Sequence, residues 1–305
     1  MNSPVVHRSS GAVPRLLVLR LSAFGDVIHT IPAVVALRER FEIEWAVEKP
    51  YAELVEIVAR VRAIPLSLRQ RSLKNLRAVR GHDVAVDFQG LLKSALLARI
   101  SGANARYGFA PQFVRERAAS WFVNHRVAID PSRHVVEWNL QLAQAVDSEA
   151  RMPEVDFRPF AAPGPSAFEG RIVLIPGAGR AEKEWPADRF RRLAGALGAE
   201  ALAVWGPGER ALAEATGAEV APATSLRELA RLLRDARLVI GGDTGPLHLA
   251  AALGTPVVGL YGPTSPFRNG PYGQIGRCVE TFTTTRAMRD INVDAVMRKV
   301  DEVLR

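Results

Sequence analysis

A single cysteine, Cys278, stands in 305 residues. It can form no internal disulfide and no cysteine-rich metal site, and a reducing, cytoplasmic setting is the simplest reading. No apolar run approaches the ~20 residues that a membrane-spanning helix needs. The longest, such as Leu16-Leu17-Val18-Leu19, are strand-length. Residues 1–14 lack the apolar stretch of a signal peptide and read as a loose, disordered leader. There is no D-x-D, no H-E-x-x-H, no clustered His and Cys, and no G-x-S-x-G elbow. Metal catalysis and a serine nucleophile therefore have no motif behind them, and no metal ligands are assigned.

What is present is a soluble, globular composition, 48% hydrophobic and 24% charged, long enough for two ordinary domains. The net charge is +8, unevenly placed. Residues 1–155 hold 21 Lys+Arg against 15 Asp+Glu, and the remainder 19 against 17. Seven basic residues (Arg60, Arg62, Arg69, Arg71, Lys74, Arg77 and Arg80) fall within 60–80 with no acidic one between them. Such a block suits nucleic acid, a membrane surface or a phosphorylated substrate, or is simply a solvated face. Few aromatics interleave with these charges, which counts against a stacking platform for single-stranded nucleic acid.

Strand and helix patterns alternate along the chain. Strands are expected at 16–19, 44–47, 84–87, 172–175, 201–205, 238–240 and 257–261. Helices are expected at 31–40, 51–60, 91–100, 187–197, 226–234 and 247–253. Residues 113–145 read as helical with an interruption near Pro131. Val293, Val296, Met297, Val300 and Leu304 repeat at three and four, the stripe of a docked terminal helix. This order implies α/β architecture with doubly wound parallel sheets. The stretch "RPFAAPGPSAFEG", with Pro159, Pro163 and Pro165, marks a linker over 159–170. It separates a first domain, 15–158, from a second, 171–305.

Ligands of such sheets bind beyond the carboxyl ends of the strands, and three stretches sit there. "LSAFGDVIHTIPAV", 21–34, leaves a strand and places Asp26 at the mouth of a helix, as an N-cap or as a base. "GGDTGPLHLAAALGTPVVGLYGP", 241–263, opens a helix at Gly245-Pro246 behind Asp243 and Thr244. Free amides there suit a diphosphate, although an ordinary cap would look the same. "PGAGRAEKEWP", 176–186, offers glycines and Lys183, a possible point charge for phosphate, with no G-K-[ST] of a Walker loop. "AVWGPGE", 203–209, ends in Glu209, a carboxylate either for ribose hydroxyls or for the next helix's N-terminus.

Together these stretches resemble the heptosyltransferases of lipopolysaccharide core assembly, glycosyltransferase family 9. "LRLSAFGDVIHTIPA" is similar to the family's S-x-x-G-D-V-x-x-T-x-P motif, "VDFQGLLKSALLARI", 86–100, to D-x-Q-G-L-x-K-S, and "GDTGPLHLAAALGTPVVGLYGPTSP" to D-T-G-x-x-H-x-A-A and the G-P-T after it. The resemblance spans most of residues 15–267. It implies the GT-B fold, two Rossmann-like domains facing each other across a cleft, with the acceptor on the first and the nucleotide sugar on the second. It implies an inverting, metal-independent, cofactor-free transfer from ADP-heptose to an anionic Kdo–lipid A type acceptor, at the cytoplasmic face of the inner membrane, with no nucleic-acid partner. Asp26 matches the general base. Lys183, Glu209, Asp243, Thr244, Gly245 and His248 match donor-binding positions, and Lys93 and Arg115 match basic positions facing the acceptor. Ala178 and Gly179 depart from the pattern, standing where the core enzymes carry hydroxyl side chains before the lysine. A GT-B-like epimerase, or a transferase of the same family with another donor or acceptor, is the alternative.

Overall fold

The computed structural model describes residues 13–67 and 73–305. The leader expected over 1–14 lies outside them up to Ala12, as do Arg69, Arg71 and the side chain of Lys74 from the basic block. The chain divides into two compact units, the first ending at Val155 and the second running Asp156–Arg305.

The first unit contains β1 (Arg15–Leu19), α1 (Phe24–Leu37), β2 (Glu42–Glu48), α2 (Ala52–Leu54), β3 (Arg62–Leu66), α3 (Leu73–Ala78) and β4 (Val84–Asp87). α4 (Leu92–Ile100), β5 (Ala105–Phe109), β6 (His125–Val127) and α5 (Val135–Val146) complete it. All strand pairs are parallel, in the order β3-β2-β1-β4-β5-β6. β1 is central, and Leu16 to Leu19 are fully buried, as expected of a strand covered on both faces. Leu17 and Leu19 pack with Ala46, Ile64, Ala85 and Ala98 in one core cluster.

The second unit repeats the plan with β7 (Ile172–Ile175), α6 (Ala187–Leu197), β8 (Ala201–Ala203), α7 (Arg210–Ala215), β9 (Glu219–Val220), α8 (Leu226–Arg234) and β10 (Leu238–Gly242). α9 (Gly245–Ala252), β11 (Val257–Tyr261), α10 (Pro266–Asn269), β12 (Cys278–Glu280) and α11 (Val293–Leu304) follow. Its parallel sheet runs β12-β11-β10-β7-β8-β9. α11 sends Val293, Val296 and Val300 into a core with Trp185, Phe190 and Leu260.

Counted from its own first strand, each sheet has the order 3-2-1-4-5-6. The connection direction reverses between the first and fourth strands, β1/β4 in one unit and β7/β10 in the other. Such switch points open a crevice at the carboxyl ends of the strands, and ligands bind there.

Three expectations need correction, and strand β3 is an addition. Residues 113–145 are not one interrupted helix: a 3-10 turn at Arg117–Trp121 and strand β6 precede α5. Asn124 explains why, because its side chain accepts from Arg106 N–H (2.7 Å) and donates to Asn104 O (2.7 Å), pinning the segment beside β5. β3 was hidden by Pro65, tolerated because β3 is an edge strand that need not donate outward. The helix expected over 51–60 is broken into short turns that end at Arg60, whose φ of 54° is left-handed. The proline-rich stretch is no free linker. Phe160 is buried, Ala162 N–H donates to Arg227 O (2.9 Å) and Ser166 N–H to an Asp235 carboxylate oxygen (2.7 Å), all within the second unit.

Candidate active site

At the first unit's switch point, the chain leaves β1 through Arg20 and enters α1 with Asp26 in its first turn. An Arg20 guanidinium nitrogen lies 2.6 Å from Asp26 Oδ2, and another donates to Phe88 O (2.7 Å) beyond the end of β4. Ala23 N–H reaches the same Oδ2 at a long 3.4 Å. The capping contact is therefore the weak one and the Arg20 pair the strong one. Oδ1 makes no hydrogen bond among the described residues, and the carboxylate is about one-third exposed, 35%. One oxygen is anchored while the other is open to receive a proton.

The second motif braces the first. Leu21 N–H donates to Gln89 Oε1 (2.8 Å), and Phe88 N–H to Leu19 O (3.0 Å). Asp87 holds the loop in shape: Oδ1 accepts from Gln89 N–H (2.9 Å) and Gly90 N–H (3.1 Å), and Oδ2 from Ser94 Oγ–H (3.0 Å). Burial pushes the Asp87 carboxyl up to about 6 despite these bonds and the Arg20 charge, which pull the other way. Gly90 has a left-handed φ of 67°, and a Cβ there would stand 2.6 Å from Val114 Cγ1. That close approach, with Leu92 N–H donating to Glu116 Oε2 (2.7 Å), lays the 111–116 loop beside the start of α4. Lys93 and Arg115 flank this bond in sequence, so the fold brings both exposed cations to one corner.

At the second unit's switch point, the loop after β7 meets the helix after β10. Lys183 Nζ lies 2.6 Å from Asp243 Oδ2, and His248 Nε2 lies 3.1 Å from Asp243 Oδ1. Burial alone would raise the Asp243 carboxyl. The hydrogen bond and charge of His248, with the charge of Lys183, outweigh it and hold that carboxyl well below the usual range. Lys183 is thus not the free point charge that the sequence suggested; it is held and partly neutralised. Gly242 permits this, since a Cβ there would press on Lys183 O at 3.1 Å. Thr244 Oγ is buried without a partner among the described residues, at the cap of α9, whose first helical amide is that of Gly245, the next residue being Pro246. A held cation beside an open helix N-terminus makes an anion site.

Glu209 caps no helix with its side chain. It folds back so that Oε2 accepts from Gly206 N–H (3.0 Å), and its carboxylate lies directly over Gly177, where any Cβ would collide with it. Gly177 and Lys183 share one loop, so the loop after β7 contacts both Glu209 and Asp243. Among the described residues, no three His, Cys, Asp or Glu side chains come together to hold a metal.

The profile of glycosyltransferase family 9 (heptosyltransferase) matches residues 69–293. The chain belongs to glycosyltransferase family 9. Lipopolysaccharide heptosyltransferase 1 of Pseudomonas aeruginosa is 35% identical, over 85% of this chain and 82% of its own. The Escherichia coli protein of that name is 31% identical, over 95% of this chain and all of its own. The solved structure of E. coli heptosyltransferase WaaC with ADP superposes with a TM-score of 0.79 at 29% identity, covering 94% of this chain and 99% of that one. As a family 9 glycosyltransferase the protein is an enzyme, and its two doubly wound units are the Rossmann-like domains of the GT-B fold. Sequence reading missed Arg20, which lies one residue before the quoted 21–34 stretch, and gave no role to Asp87 or Gln89.

Proposed function

We propose that the protein transfers heptose from ADP-heptose to a Kdo–lipid A type acceptor in lipopolysaccharide inner-core synthesis, with inversion and without a metal, at the cytoplasmic face of the inner membrane. The observation that carries the reading is the Lys183–Asp243–His248 cluster at the N-terminus of α9, an anion site at a nucleotide-binding switch point. Similarity to heptosyltransferase 1 proteins and to a heptosyltransferase solved with ADP supports both donor and sugar.

The acceptor hydroxyl oxygen attacks the anomeric carbon while its proton passes to Asp26 Oδ1, the open oxygen of an anchored carboxylate. The bond from that carbon to the ADP oxygen breaks in the same displacement, so configuration inverts. The charge arriving on ADP is received by the amides of Thr244 and Gly245 and by Lys183, which Asp243 keeps aimed. With Ala178 and Gly179 lacking hydroxyls, phosphate contacts in the preceding loop fall to backbone amides. Glu209 takes the ribose hydroxyls. Lys93 and Arg115 meet the acceptor's negative charge. Proton NMR of the product tests the chemistry: one anomeric configuration opposite to the donor's is expected. Retained configuration, or a donor epimerised without transfer, would overturn the single-base scheme.

A further inference from the structure

α4 turns an unusual face outward. Leu92, Lys93, Leu96 and Arg99 are exposed, at the spacing of one helical face. α4 packs on the 3-10 turn Arg117–Trp121, whose exposed residues are Arg117 and Trp121. Arg106 ties the far end of this pair together, donating to Ala103 O (2.7 Å) just after α4 and to Phe122 O (3.0 Å) just after the turn. Trp121 is 76% exposed, Leu96 47% and Leu92 44%. Single exposed apolar residues are ordinary, but Leu92 and Leu96 share one face of α4, and the tryptophan ends the turn packed on that helix.

The charge around them is of one sign. Between residues 88 and 129 there are six Lys and Arg and one acidic residue, Glu116, which is spent on Leu92 N–H. Lys93, Arg99 and Arg117 make no ion pair among the described residues. A tryptophan and two leucines on the same two elements as three cations without an ion pair match the interface of an anionic lipid leaflet. There the indole sits at headgroup level, the leucines reach the acyl boundary, and the cations meet lipid phosphates.

We infer that the α4 face and the Arg117–Trp121 turn form the surface by which the protein docks on an anionic bilayer, with Trp121 inserted at the interface. The inference deepens the proposed function, since the same corner carries Lys93 and Arg115, and docking there would bring the acceptor's charged sugars to the end of α4.

The test uses vesicles of phosphatidylcholine with and without phosphatidylglycerol, their acyl chains brominated. The chain has five tryptophans; Trp45, Trp138 and Trp185 are buried and Trp205 is partly so, leaving Trp121 as the one open to lipid. Emission should shift to the blue and be quenched on anionic vesicles, and Trp121→Phe should abolish the quenching. Leu96→Gln with Trp121→Gln should weaken partitioning by ~tenfold while turnover of a deacylated, water-soluble acceptor stays unchanged. Absent quenching, equal quenching on neutral vesicles, or quenching that survives Trp121→Phe would overturn the assignment. So would a dimer in solution that Trp121→Gln splits, which would give the face to a second copy. Quenching needs no turnover, so a chain quenched as expected but inactive toward ADP-heptose would refute the proposed function and leave the docking surface standing.

Discussion

Replacing Lys183 with Met keeps the stem and removes the ammonium. In the intact protein Nζ sits 2.6 Å from a buried carboxylate, with 17% of the lysine side chain and 8% of the aspartate side chain exposed. Two costs follow. A charge-assisted hydrogen bond to phosphate contributes ~1.5–3 kcal/mol, so its loss should weaken ADP binding roughly 10- to 150-fold. The upper end is expected, because Asp243 stays ionised without Lys183 and then repels the diphosphate. His248 still donates to it, and that bond and the His248 charge oppose the burial that raises the carboxyl. The second cost is to folding. Removing one partner of a fully buried ion pair costs ~3–5 kcal/mol, and the water contact of Lys183 reduces that to about 1–3 kcal/mol. Thermal unfolding should therefore come several degrees lower. Isothermal titration with ADP and thermal melts of the same preparation separate the two effects. ADP affinity within threefold of wild type, alongside a lowered melting temperature, would make Lys183 a structural cation and refute its phosphate role.

Other perturbations have defined outcomes. Asp26→Asn should retain ADP binding and the fold while lowering turnover by ~10²-fold or more, since the proton acceptor is lost; steady-state rates within a few-fold of wild type would return Asp26 to capping. Asp87→Asn keeps an oxygen for Gln89 and Gly90 and an amide for Ser94. Because the folded carboxyl lies at about 6 against an ordinary 3.8, its stabilising contribution is complete below 3.8 and lost as pH rises through about 6. Urea titrations should show wild type losing stability relative to the variant across that window, by at most ~1.4 kcal/mol per pH unit; a constant difference would mean that Asp87 is ionised throughout. Transfer activity should survive excess EDTA, and a loss restored by Mg²⁺ would require metal ligands that no described cluster supplies.

The parts of the architecture legible in sequence were those with strong local pattern. Leu16 to Leu19 and Val257 to Tyr261 are buried apolar runs of strand length, the mark of interior strands covered on both faces. β3 and β6 were illegible for the opposite reason. Each is an edge strand half-covered by neighbours; one carries Pro65 and the other reads His125-Arg126-Val127, so pairing with β2 or β5 makes them strands. Phe160 shows the limit of punctuation signals: prolines mark a turn-rich stretch, but only the packing of Phe160 shows which unit holds it.

The candidate site followed the same division. Residue types and strand-end placement were readable for Asp26 and Asp243, each a carboxylate after a glycine at a helix mouth, whereas His248 was picked out by the family resemblance alone. Pairing was not. That Lys183 binds Asp243, 60 residues on, and that Arg20 binds both Asp26 and Phe88 O depend on which strands adjoin β1 and β7. The same holds for Gly177, whose missing side chain matters only because Glu209 folds over it.

The most direct test of heptosyl transfer is the release of ADP from ADP-heptose, followed with and without Kdo–lipid A. Release should depend on the acceptor and match, mole for mole, a product heavier by one heptose. Release that proceeds equally without acceptor, or no release in its presence, would contradict the proposed function.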